Sequence, residues 1–213
     1  MFGDGSLTFR EFASREPLPL ARIHDGVLEF LRGRENCALI GAHAVNAYAD
    51  EARMTPDVDI VSVDSIALAE RVGSFLAERF CIAVRLDPIA HGKCLRIQQV
   101  REPKNRPLVD IWSASVLPPT QRVREVLVVS PPELIANKVM AISRRHNNAL
   151  AGTDWRDAAT LLLQFPDLKK TDGPVRIRLG AALADSEAIT TWEELVHTEI
   201  RPDRDEDEFW QMK

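Results

Sequence analysis

Apolar residues recur near helical spacing at Leu20, Ile23, Val27, Leu28, Phe30 and Leu31, which predicts a first amphipathic helix. Cys37-Ala-Leu-Ile-Gly41 is a short apolar run ending in glycine and reads as a buried strand. Ala42 to Ala49 favours helix, and Pro56 closes the loop that follows. Asp57-Val-Asp-Ile-Val-Ser-Val63 alternates strictly and is rich in β-branched residues, so it predicts a strand with two distinct faces. Ile66, Leu68, Ala69, Val72, Phe75, Leu76 and Phe80 mark a second long helix from Ser65. Strands are then expected over Cys81–Leu86, Cys94–Val100 and Leu108–Trp112, with a short one at Val126–Val129. Asp87-Pro88 and His91-Gly92 supply the turn between the first two, and Glu102 to Pro107 the turn before the third.

The texture changes at Ser130-Pro-Pro-Glu133, a helix start with a Ser cap, prolines in the first turn and Glu three residues past the cap. Helices are expected from there to about Arg145, from about Asp154 to Phe165, and from Trp192 to about Ile200. The organisation is therefore a lead-in over residues 1–19, a mixed α/β body over 20–129, and a helical region with an acidic tail over 130–213.

Composition narrows the class. At 213 residues with 45% apolar and 28% charged side chains, the chain can bury a core as one domain with a helical appendage. No stretch approaches the ~20 apolar residues of a membrane helix, and the N-terminus has no apolar run of secretory length, so a cytoplasmic protein is expected. The net charge of −5 argues against a surface built throughout to grip nucleic acid. Five acids and one base at 203–208 carry most of it, while Arg101, Lys104 and Arg106, Arg122 and Arg124, and Arg144-Arg145-His146 leave a local basic groove open. Cys37, Cys81 and Cys94 form no paired motif, which fits a reducing compartment.

The most informative stretch runs from Ile40 to Ile60. Asp57 and Asp59 lie two apart on a predicted strand, so their carboxylates leave the same face while Val58 and Ile60 bury on the other. Close carboxylates repel unless a cation sits between them, and hard divalent ions with oxygen ligands meet that need. Asp110, inside the apolar strand Pro107-Leu-Val-Asp-Ile-Trp112, is costly to bury alone. It either pairs with an arginine or joins a metal site. Gly41-Ala42, at a strand-to-helix junction, either lets backbone N–H groups approach a phosphate or makes a plain turn. Lys138 sits at the edge of a buried helical stripe, where it can snorkel to solvent or point into a cleft. Asp154 and Asp157 open the next predicted helix and would suit its dipole.

Together these pieces stand in a recognisable order. The chain resembles the nucleotidyltransferase superfamily, in Leu39-Ile-Gly-Ala42, Asp57-Val-Asp59 and the later Asp110. Within it the chain looks most like the AbiEii-type branch, the nucleotidyltransferase partners of type IV toxin–antitoxin systems. Arg53-Met-Thr55 matches that branch's Arg-x-Thr, and Lys138 with Asp154-Trp-Arg-Asp157 matches its helical Lys and Asp-x-x-Asp. Ala42 departs from the usual second Gly or Ser.

The resemblance implies an α+β fold with a mixed curved sheet flanked by helices and a helical C-terminal part. It implies two Mg²⁺ ions (Mn²⁺ as a substitute) on Asp57, Asp59 and Asp110, with an NMP moved from an NTP to an acceptor hydroxyl. Gly41, Ala42, Arg53, Thr55 and Lys138 would hold the nucleotide. Asp157 would fix Lys138 or the acceptor, with Asp154 the weaker of the two. The acceptor would be an RNA end, a protein or a small molecule, and an antitoxin protein a possible partner. The other reading is a non-catalytic nucleotide-binding module that keeps the fold. Phosphatases and sugar-nucleotide transferases that use Asp-x-Asp fit less well, because Asp57 begins its strand after a loop and only 56 residues precede it.

Overall fold

A computed structural model describes residues 18–145 and 149–201; most of the lead-in and the acidic run at 203–208 lie outside the described residues. The elements in chain order are α1 Leu20–Leu31, β1 Cys37–Leu39, α2 Gly41–Tyr48, β2 Val58–Ser62, α3 Ser65–Phe80, β3 Val84–Ile89, β4 Cys94–Gln99, β5 Arg106–Ser113, β6 Thr120–Val123 and β7 Val126–Val129. Four helices follow: α4 Pro131–Arg144, α5 Ala149–Gln164, α6 Pro174–Ala181 and α7 Ser186–His197. The chain divides into two compact units, one ending at Leu134 and the other beginning at Ile135.

The first unit holds one open mixed sheet in the order β3-β4-β5-β2-β1-β7-β6. β2 runs parallel to β5, β1 runs parallel to β7, and the remaining pairs are antiparallel. Register sorts the side chains by face. Leu39 faces Ile60, Ile60 faces Ile111, and Val58 faces Val109, which faces Ile97 in turn. All of these are fully buried. α3 packs across β2 to β5 with α1 against it, and its Gly73 abuts Leu86, which pairs with Ile97. The aliphatic face is therefore the helix-covered one. Alternation sends Asp59, Asp110 and Arg96 to the opposite face.

Two expectations about the sheet need correction. Asp87-Pro88 is not a turn: β3 runs through both to Ile89, pairing with Arg96, Leu95 and Cys94. A proline is admissible there because β3 is an edge strand, whose outer side makes no ladder bonds. Cys81 does not start a strand but caps α3 in the left-handed conformation at φ 53°.

In the second unit, α6 and α7 pack together. Val175 and Leu179 on α6, and Ala188, Trp192 and Leu195 on α7, are all buried. Asp185 caps α7, its Oδ1 accepting from Ala188 N at 2.9 Å. α5 begins at Ala149, so Asp154 and Asp157 lie beyond its first turn instead of opening it. Among the described residues, no helix is long and apolar enough to cross a membrane.

Candidate active site

The first strand-to-helix junction is built around Gly41, whose φ of +65° is a left-handed conformation natural to glycine. Space forbids a larger residue as well. A Cβ at Gly41 would run into Asp59 Oδ2 and lie 3.0 Å from Asp59 Cγ. Ile40 N donates to Asp59 O at 3.0 Å, which fixes the junction against β2. The N-terminus of α2 thus begins directly beside the Asp59 carboxylate, with Ala42 next in the helix.

Asp57 lies one residue ahead of β2, and Asp59 lies on it. Asp59 and Asp110 are register partners on the parallel strands β2 and β5. Burial pushes the Asp57 carboxyl above the usual aspartate range, and the negative charge of Asp110 pushes it the same way; Arg96 partly offsets both. Asp57, Asp110 and Arg96 thus share one electrostatic neighbourhood. Asp59 and Asp110 therefore stand side by side on adjacent strands, with Asp57 just ahead of β2. Yet among the described residues no group of three or more His, Cys, Asp or Glu side chains converges as a metal-holding set.

Asp110 has a partner. Arg96 on β4 donates from Nε to Asp110 Oδ1 at 2.8 Å and from Nη2 to Oδ2 at 2.6 Å, a two-point fork. The Asp110 side chain is 6% exposed and that of Arg96 31%. Hydrogen bonding to Asp110 raises the Arg96 pKa above the ordinary arginine value. Burial foremost, and then the charges of Asp110 and Asp59, drive the nearby Cys94 thiol up to about 12, so it stays protonated.

The Arg53-Met-Thr55 loop is held from α2. Asn46 Nδ2 donates to Arg53 O at 2.8 Å, and Arg53 N donates to Asn46 Oδ1 at 3.1 Å. Thr55 Oγ1 donates to Asp57 O at 2.9 Å, tying the loop to the start of β2. Neither Asn46 nor Arg96 was singled out in the sequence. Asn46 sits in an ordinary helical run, and Arg96 resembles any solvent-facing residue of an alternating strand.

The second unit carries its own buried cluster. Lys138 Nζ lies 3.0 Å from Asp154 Oδ1 and 2.6 Å from Asp157 Oδ2. Arg145 Nη1 lies 2.5 Å from Asp154 Oδ2. Lys138 therefore does not snorkel to solvent; its side chain is only 12% exposed. A family model described as nucleotidyl transferase AbiEii toxin of type IV toxin–antitoxin systems matches residues 26–211, a span that takes in all of these residues.

The chain belongs to the AbiEii nucleotidyltransferase family.

This AbiEii-family chain is also similar to several solved structures. One is an antigenic nucleotidyltransferase-like protein from Paracoccidioides brasiliensis, at 15% identity over 92% of this chain and 96% of that one, with a TM-score of 0.45. JHP933 from Helicobacter pylori is 16% identical over 90% of each chain, with a TM-score of 0.49. The Megavirus polyadenylate synthase is 16% identical over 83% of this chain and 33% of that one, with a TM-score of 0.44. Among proteins of curated function, none matches. Membership of the AbiEii family rests on the match over residues 26–211, and general nucleotidyl transfer follows from it.

Proposed function

We propose that this enzyme moves an NMP from an NTP to an acceptor hydroxyl in a Mg²⁺-dependent reaction, at the face bearing Asp57, Asp59 and Asp110. The observation that carries this reading is the junction at Gly41, where backbone with no side chain starts a helix directly against the Asp59 carboxylate. Such a junction offers N–H groups to phosphate oxygens beside an acid able to hold a metal.

The donor set suits Mg²⁺, a hard ion that takes one or two carboxylates together with substrate phosphates. Asp57 and Asp59 would hold it, with Mn²⁺ as a substitute, and it would supply Lewis-acid stabilisation of phosphoryl charge. The chain's own residues do the rest. Gly41 and Ala42 receive the phosphates, while Arg53 and Thr55, fixed through Asn46 and the Asp57 carbonyl, border the nucleotide. Asp110 receives the acceptor's proton. Lys138, which the second unit pairs with Asp157 and Asp154, is the cation assigned to the departing pyrophosphate.

The family supports a toxin role held in check by an antitoxin partner, in the cytoplasm where NTPs and acceptors are both present. The acceptor class is an RNA end, a protein hydroxyl or a small molecule. The test is incubation of the full chain with α-³²P-labelled NTPs and Mg²⁺ beside total RNA and total protein, with an Asp57→Asn control. Label in one fraction, lost in the variant and on chelation, is expected and names the acceptor class. Transfer undiminished in Asp57→Asn ends the proposed mechanism, and intact nucleotide binding with no label in either fraction leaves a small-molecule acceptor or a non-catalytic module, with the module ahead.

A further inference from the structure

The register places Asp87, Arg96, Asp110 and Asp59 in one row across β3, β4, β5 and β2. Arg96 therefore stands between two acids and forks onto only one. Asp87 is already engaged, by Arg85 Nε at 2.6 Å and by Gln98 Nε2 at 2.8 Å. Both oxygens of Asp110 are left to the guanidinium.

We propose that Arg96 takes the place of a second metal ion, so that the site binds one divalent cation and not two. The inference rests on the metal-dependent reading of the site given above. Arg96 supplies one permanent positive charge, and both of its bonds in the fork go to Asp110, so that carboxylate is already matched. A second ion at Asp110 would have to displace a bidentate guanidinium or sit within a few ångströms of it, against like-charge repulsion. The absence of any three-member carboxylate, His or Cys metal group among the described residues agrees with this. Arg96 is then a positioning residue: it fixes the orientation of Asp110 and reserves it from metal.

Counting bound Mn²⁺ per chain tests this by electron paramagnetic resonance. The full-length protein is titrated in the presence of the α,β-methylene analogue of each ribonucleoside triphosphate in turn. One ion is expected for the natural chain, and still one for Asp110→Asn, because Asp110 holds no metal. Arg96→Lys, which keeps the positive charge, should also bind one. Arg96→Gln should bind two, since it leaves Asp110 open.

Two ions in the natural chain, or loss of the ion in Asp110→Asn, would overturn the proposal. A single ion in a folded Arg96→Gln variant would show that Arg96 does not exclude the second. Should Arg96→Gln fail to fold, as judged by circular dichroism, Asp110→Asn still decides. No bound Mn²⁺ in the natural chain under any analogue would instead remove the metal-dependent reading itself.

Discussion

Asp110 on β5 and Asp157 on α5 are both buried carboxylates matched by a cation, but the matching differs. Asp110 shares a two-point fork with one arginine that stays about a third exposed. Asp157 shares one nearly buried lysine with Asp154, and Asp154 draws a further bond from Arg145. The first arrangement fixes direction, because a planar guanidinium dictates where both oxygens point. The second concentrates charge, because an ammonium can serve two acids at once.

The largest effect that would break this comparison is expected from Lys138→Met. It removes the ammonium shared by two acids that are 7% and 1% exposed, and loss of one partner from a buried ion pair costs about 3–5 kcal/mol. Urea denaturation reads it. Adding Asp154→Asn and Asp157→Asn should restore much of the loss, and a Lys138→Met chain as stable as the natural one would show that the cluster is not held by charge.

A third buried pair sharpens the contrast, since His24 and His43 meet burial by giving up charge. His43 Nε2 and His24 Nδ1 lie 3.2 Å apart, and His24 Nε2 is buried with no hydrogen-bond partner among the described residues. Burial foremost, with the neighbouring His43 and Arg106 charges, lowers His24 to about 3; burial and then Arg53 lower His43 to about 4. Both rings stay neutral in the folded chain at pH values where an unfolded histidine protonates. Their contribution is therefore complete above pH 6.5 and falls as the pH drops through the window down to these values. At pH 5 the loss should reach about 2 kcal/mol per histidine. Denaturation at pH 7 and pH 5 should show a shallower fall for His24→Gln/His43→Gln than for the natural chain.

Arg96→Gln should destabilise less than Lys138→Met, with a loss of about 1–2 kcal/mol, because solvent screens a guanidinium that is about a third exposed. Equal losses in the two variants would erase the distinction between fork and cluster. The smallest effect, about 1 kcal/mol, is expected from Asp185→Ala, which removes only the α7 cap. Thermal melting should register it with nucleotide transfer unchanged.

How much of this was legible depended on whether the signal was local. β2 and the two aspartates flanking Val58 followed from strict alternation, and the turn at Gly41 from an apolar run ending in glycine. β6 was missed because Thr-Gln-Arg-Val has no apolar pattern and, among the described residues, pairs with β7 alone. Pro88 suggested a turn because a dipeptide cannot show that its strand lies at an edge. The sequence required Asp110 to find a base or a metal, but the arginine that meets it stands 14 residues away. Only the β4–β5 register selects Arg96. The second-unit cluster was blurred for another reason: α5 starts five residues earlier than its amphipathic signal, which moved Asp154 from a helix start to a lysine's side.

One consequence of β3 concerns what happens between molecules. A sheet ending in a strand with unpaired amides invites another chain to continue the ladder, which is how soluble proteins polymerise. Here the outermost strand contains Pro88, with no amide to offer, between a hydrated charged pair, Arg85 and Asp87, and the end of the ladder at Ile89. Residue 88 thus works against templated growth at the same strand whose Asp87, by engaging Gln98 and Arg85, leaves Arg96 to Asp110. Replacing it with valine would lengthen the sticky edge, and concentrated solutions of that variant should form fibrils sooner.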